Sequence, residues 1–169
     1  HIKMVWGTIA AILAFGVLSV LLLWWQYDRA ISWVAEQIPV STEEEMGNSV
    51  LEQLRSEGGL IESGVAVKTV QEIGAKLTKG SRYDYQWVIK TDKTLNAFAL
   101  PGGVVVVHSA LIEKASNANE LAAVLAHEVQ HIEQRHSLKS TLNSLGWAAL
   151  LTVTIGDVSA VAAVMAHQM

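Results

Sequence analysis

The chain has 169 residues, 51% of them hydrophobic and 17% charged, which allows one modest domain and one membrane segment but not two full domains. A net charge of −4, with no run or stripe of Lys and Arg, excludes a nucleic-acid partner held through phosphate neutralisation. Cys is absent, so disulfides, thiolate metal sites and Cys nucleophiles are excluded together, and any metal must be held by His and carboxylates.

Residues 4–25, MVWGTIAAILAFGVLSVLLLWW, carry no charge and match the roughly 20 apolar residues that span a lipid bilayer. They predict one N-terminal transmembrane helix. Trp6 at one end and Trp24, Trp25 and Tyr27 at the other stand where amphipathic rings favour the headgroup region. A cleaved signal peptide fits worse, because the stretch is too long and Gln26, Tyr27, Asp28 and Arg29 follow it instead of a small-residue cleavage site. Ile31, Val34, Ala35 and Ile38 then recur at helical spacing, so a juxtamembrane helix is expected over 26–40, ended by Pro39.

Residues 41–169 are read as one folded domain. Ser41 and Thr42, each three residues before Glu44 and Glu45, have capping-box spacing and predict a helix with Met46, Val50, Leu51 and Leu54 on one face, stopped by Gly58 and Gly59. Val67, Val70, Ile73, Gly74 and Leu77 mark another, closed by Gly80. The period then changes: Tyr83, Tyr85, Trp87 and Ile89 alternate with Asp84, Gln86, Val88 and Lys90 as in a strand. A second strand is expected over 95–100, a turn at Pro101, Gly102 and Gly103, and a third strand over 104–107. Together they predict a small antiparallel β-sheet in a mostly helical α+β domain. Asn117 with Glu120 caps a helix expected to run from Ala118 to His136, with Leu121, Leu125, Val129 and Ile132 as its buried stripe. The apolar segment 142–166, interrupted by Asn143, Gly146, Gly156 and Asp157, reads as two core helices in preference to a second span.

The chemistry lies in His127-Glu128-Val129-Gln130-His131. Two His four residues apart project from one helix face toward a common metal, zinc in this pattern. Glu128, one residue round, is placed to accept a proton from the metal's water as that water attacks a peptide carbonyl. Zinc acidifies the water and polarises the carbonyl. Three fixed residues at this spacing arise by chance in roughly one chain in a few hundred of this length, so the mid-helix setting matters more than the motif itself. Read alone, Asn96-Ala97-Phe98-Ala99-Leu100-Pro101-Gly102-Gly103 is only a hairpin. Beside a zinc helix it offers a strand edge, Ala97, Phe98, Ala99, Gly103 and Val104, on which an extended substrate can pair.

The order NAFALPGG, apolar strand, short helix, HEVQHIEQRH resembles the family 48 zinc metallopeptidases over roughly 41–139. That resemblance implies a gluzincin (zincin) fold, His127 and His131 as zinc ligands, Glu128 as catalytic general base and the 97–107 hairpin as substrate edge. It further implies unfolded or damaged membrane and envelope proteins as substrates. With Lys3 preceding the span, a bacterial inner membrane with the domain on the periplasmic side is expected.

The family's third ligand is a Glu on a later helix, and no Glu follows Glu133 in this chain. His136 does not replace it in the metzincin manner, which needs a Gly where Gln134 stands and a His where Ser137 stands. Asp157 and His167 remain as candidates, Asp157 reading more readily as a helix cap after Gly156. The expectation is a longer parent chain that supplies the Glu. The competing reading is a membrane-anchored binding or chaperone-like module that keeps the hairpin groove and no longer hydrolyses.

Overall fold

A computed structural model describes residues 2–145. Helix α1 (Ile2–Gln37) runs unbroken for 36 residues, joining the predicted span to the juxtamembrane stretch. Between Trp6 and Trp25 its large apolar side chains face outward, Phe15 being 74% and Trp24 67% exposed. By length and composition it can cross a membrane. Further along, the environment inverts: Ile31, Val34, Ala35 and Ile38 are buried in one cluster with Met46, Leu138 and Leu142.

The remaining elements are α2 (Val40–Glu57), β1 (Leu60–Ile61), α3 (Val65–Leu77), β2 (Gln86–Lys90), β3 (Ala97–Ala99), a 3-10 turn (Pro101–Gly103), β4 (Val104–His108), α4 (Ser109–Lys114), α5 (Ala118–Glu133) and α6 (His136–Leu145). The capping box expected at Ser41 and Thr42 does not form. Pro39 takes the N-cap position, and its carbonyl accepts from the backbone N–H groups of Thr42 and Glu43, so the helix starts before the box can act. The cap at Asn117 does form, its Oδ1 accepting from Asn119 N (3.0 Å) and Glu120 N (3.1 Å).

The four-stranded sheet has the order β1-β2-β4-β3 and is mixed, which corrects the expected antiparallel sheet. β3 runs antiparallel to β4, but β2 runs parallel to it, Gln86 facing Val104 and Lys90 facing His108. The reason lies in the connection 91–96, which carries the chain across the end of β4 so that β3 forms on its far side. Ser109 Oγ donates to the Asp92 carbonyl and Thr94 N–H to Asp92 Oδ1 (2.8 Å), pinning that crossing. β4 is therefore interior and covered on both faces. Val104 and Val106 pack with Leu51 of α2, while Val105 and Val107 pack with Val70 of α3 and Leu125 of α5.

Small residues let the layers close. A Cβ on Gly74 would overlap the Trp87 indole, and one on Gly102, which sits at φ +74, would meet the Glu44 backbone. The Pro101–Gly103 turn is thus buried against α2.

The helix expected to continue to His136 ends instead at Glu133, and Arg135 turns the chain at φ 57 before α6 begins. The guanidinium explains the break. It is 8% exposed, pairs with the buried Glu43 carboxylate, and donates to the carbonyls of Ala35 and Ile38 at the end of α1. Such a donor satisfies helix-terminal oxygens that have no intrahelical partner. Arg135→Ala is expected to lower the unfolding free energy by about 3–5 kcal/mol, because it strands a buried carboxylate. Arg135→Gly, which fits the positive φ, should cost about 1–2 kcal/mol less than Ala. Chemical denaturation in detergent measures both; an Ala variant as stable as the wild type would contradict the clamp.

Candidate metal centre

His127 and His131 lie one turn apart on α5, and the structure brings their Nε2 atoms to 3.1 Å. Two nitrogens each about 2.0–2.1 Å from a tetrahedral zinc stand about 3.3 Å apart, so the pair fits two positions of such an ion. The stripe Leu121, Leu125, Val129 and Ile132 is buried behind them, which fixes the rotation of the helix. His127 is exposed and His131 half-buried.

Glu128 is 8% exposed and faces the sheet. Burial pushes its carboxyl above the ordinary value of 4.5; the charges of His131 and His127 and a hydrogen bond from the Ala99 backbone N–H pull the other way. Ala97 and Ala99 point to the α5 side of the sheet and Phe98 to the α2 side. Their small side chains let α5 come close enough for the carboxylate to reach β3. In antiparallel pairing, backbone groups turn alternately toward and away from the partner strand. Asn96 and Leu100 hydrogen-bond β4, so the groups of Ala97 and Ala99 face the free edge. At that edge the Ala99 N–H is turned toward the Glu128 side, and Ser137 Oγ donates to the Ala99 carbonyl (2.9 Å).

The expected substrate-edge residues therefore separate. Ala97, Phe98 and Ala99 form the edge strand, at the site; Gly103 and Val104 are buried beneath α2, Val104 with no exposed surface. Among the described residues no group of three potential ligands gathers. Asp157 and His167 lie outside the described residues, as does most of the segment 142–166.

Two contacts escaped sequence reasoning. His136 Nδ1 stands 2.8 Å from His131 Nδ1, on the far side of that ring from His127. Desolvation lowers the His136 pKa below 6.5, with His131 and Lys139 adding to it. Glu43 was hidden in an acidic triplet, though its spacing from the buried Met46, Gly47 and Leu51 puts it on the inward face of α2.

Paired imidazoles and a buried carboxylate thus lie on one helix, set against a sheet edge. The chain belongs to peptidase family M48, whose model matches residues 65–169. It is 32% identical over 122 residues to the beta-barrel assembly-enhancing protease of Yersinia pestis, an alignment covering 68% of this chain and 25% of that one. The protein of that name from Escherichia coli (strain K12) is 32% identical over 102 residues, 59% of this chain and 21% of that one. Mitochondrial metalloendopeptidase OMA1 of Saccharomyces cerevisiae is 35% identical over 82 residues, 46% and 24% of the two chains. The chain spans about a quarter or less of the length of the curated relatives it matches.

A carboxyl whose folded-state pKa is raised favours folding when protonated; that contribution is full below 4.5 and is lost as pH rises through the folded value. Metal-free Glu128→Gln, neutral at every pH, is expected to melt above the metal-free wild type at about pH 7 and to converge with it near pH 4. Melting curves at the two pH values check the sign. A variant less stable than wild type at neutral pH would refute it.

Proposed function

We propose that this chain is part of a membrane-anchored zinc metalloendopeptidase of the gluzincin type. Its substrates are unfolded or damaged membrane and envelope proteins. The convergence of the two Nε2 atoms beside a buried carboxylate carries the reading. His127 and His131 hold the zinc, and a third ligand comes from outside residues 2–145, since catalytic zinc ordinarily has three protein ligands. When bound, zinc supplies Lewis acidity, polarising a peptide carbonyl and acidifying water.

The chain's own residues do the rest. Glu128 accepts the proton of the attacking water and returns it to the leaving amine, and its raised pKa suits both transfers. Ala97 offers its free backbone N–H and C=O to an extended substrate, which fixes the scissile bond beside Glu128. Ala99 takes part once the Glu128 and Ser137 contacts yield. α1 supplies the anchor; we assign a bacterial inner membrane with the domain on the periplasmic side.

A second reading rests on one observation: no third ligand joins the pair among the described residues. A non-hydrolytic, membrane-anchored binding or chaperone-like module would keep the β3 edge without a complete metal site.

The full-length protein in detergent, assayed on an unfolded protein, separates the two. Glu128→Gln is expected to retain zinc and lose at least about 100-fold in cleavage rate. Removal of zinc by a chelator should abolish cleavage, and added zinc should restore it. Equal cleavage by Glu128→Gln and wild type would sink the mechanism; binding without cleavage by a wild type supplied with zinc would favour the second reading.

A further inference from the structure

We infer that His136 is a positioning residue that holds the His131 imidazole, through Nδ1, in the orientation and tautomer a metal requires. The inference rests on the zinc reading above and concerns a residue outside the HExxH motif.

Both ring nitrogens of His131 are engaged: Nε2 lies 3.1 Å from His127 Nε2, and Nδ1 lies 2.8 Å from His136 Nδ1. A short nitrogen–nitrogen contact between neutral imidazoles needs one donor and one acceptor. Only one assignment leaves a lone pair on His131 Nε2 facing His127. In it the His131 proton sits on Nδ1 and is donated to His136 Nδ1, and the His136 proton sits on its own Nε2. That is the arrangement in which a metal-ligating imidazole gives its second N–H to an outer partner, which fixes the ring and raises the basicity of the ligating nitrogen. His136 stands behind His131 and not beside the pair, so it supports the ligand without being one.

The support is itself held. His136 opens α6, and the positive φ of Arg135 is what swings it back beneath α5. Arg135 cannot relax, because its guanidinium is tied to Glu43 and to the carbonyls of Ala35 and Ile38. The backbone carbonyl of Arg135 also accepts from Lys139 N (2.9 Å), locking the first turn of α6. A chain of fixed contacts thus runs from the end of α1 to a metal ligand.

The test uses the full-length protein in detergent and measures zinc affinity by competition with a chromophoric chelator. His136→Ala is expected to weaken zinc binding 10- to 100-fold, about the effect of losing an outer-sphere partner. His136→Asn, whose amide oxygen takes the place of Nδ1, should recover most of that loss. Both metal-free variants should melt with the metal-free wild type, since the ring is exposed. Unchanged affinity in His136→Ala, or equal loss in the Ala and Asn variants, would overturn the inference and leave the zinc reading standing. Loss of a nitrogen ligand in the spectrum of the cobalt-substituted Ala variant would overturn it in favour of direct ligation. A wild type that takes up no zinc would overturn both readings.

Discussion

The buried pair of Glu43 and Arg135 is the interaction on which the rest of the structure depends. Its partners sit 92 residues apart, and between them they tie together four elements: the end of α1, the first turn of α2, the end of α5 and the start of α6. Two charges withdrawn from water cost several kcal/mol each unless their remaining hydrogen-bonding capacity is met. Here it is met on both sides. The guanidinium takes two carbonyls of α1 in addition to the carboxylate, and Tyr83 Oη stands 3.4 Å from both oxygens of Glu43. A hydrophobic pair of the same volume would fill the space, but it would leave the α1 carbonyls without donors and remove the reason for α5 to stop where it does.

A second constraint brings α5 onto the sheet. Glu128 is one position round from His127, so it points to the protein while the imidazoles point outward. For the carboxylate to be useful it must be held without being neutralised by a full charge. A backbone N–H on an edge strand does that, provided the strand can come within hydrogen-bonding distance of the helix. Ala97 and Ala99 make this possible; a β-branched residue at either place would hold α5 away. Gly74 against Trp87 does the same for α3, and Gly102 against Glu44 for α2. The smallest residues therefore mark the closest approaches of α2, α3 and α5 to the sheet and its turn.

How much of this could be read from the sequence depends on whether the cause of each feature lies nearby in the chain. The HExxH face, the Asn117 cap and the buried stripe of α5 are local, and the sequence shows them. The sheet is not local. A run of four valines with no alternation is what a strand covered on both faces looks like, and such strands are characteristic of parallel pairing. The Pro-Gly-Gly turn after β3 suggested a simple hairpin meander, and it masked the parallel partner two elements back. The break after Glu133 was invisible for a stronger reason: nothing in Glu133, Gln134 or Arg135 opposes a helix, and the cause is a carboxylate on α2. The Ser41 and Thr42 box failed for the opposite reason, because Pro39 two residues upstream offered an earlier start.

The two environments of α1 bear on how an anchored enzyme of the proposed kind would work. From Trp25 to Ile38 is 13 residues, about 20 Å of helix. Over that length an exposed apolar cylinder becomes a core element packed on α6. No flexible linker intervenes, so in the proposed enzyme the domain would not drift from the bilayer while its anchor stayed fixed. Arg29 stacking on Trp25 at 4.6 Å marks the change of environment, since the cation and the indole both favour the polar boundary. A tether of this stiffness exchanges reach for orientation. In an enzyme anchored through α1, it would make the position of β3 relative to the lipid a property of the fold itself.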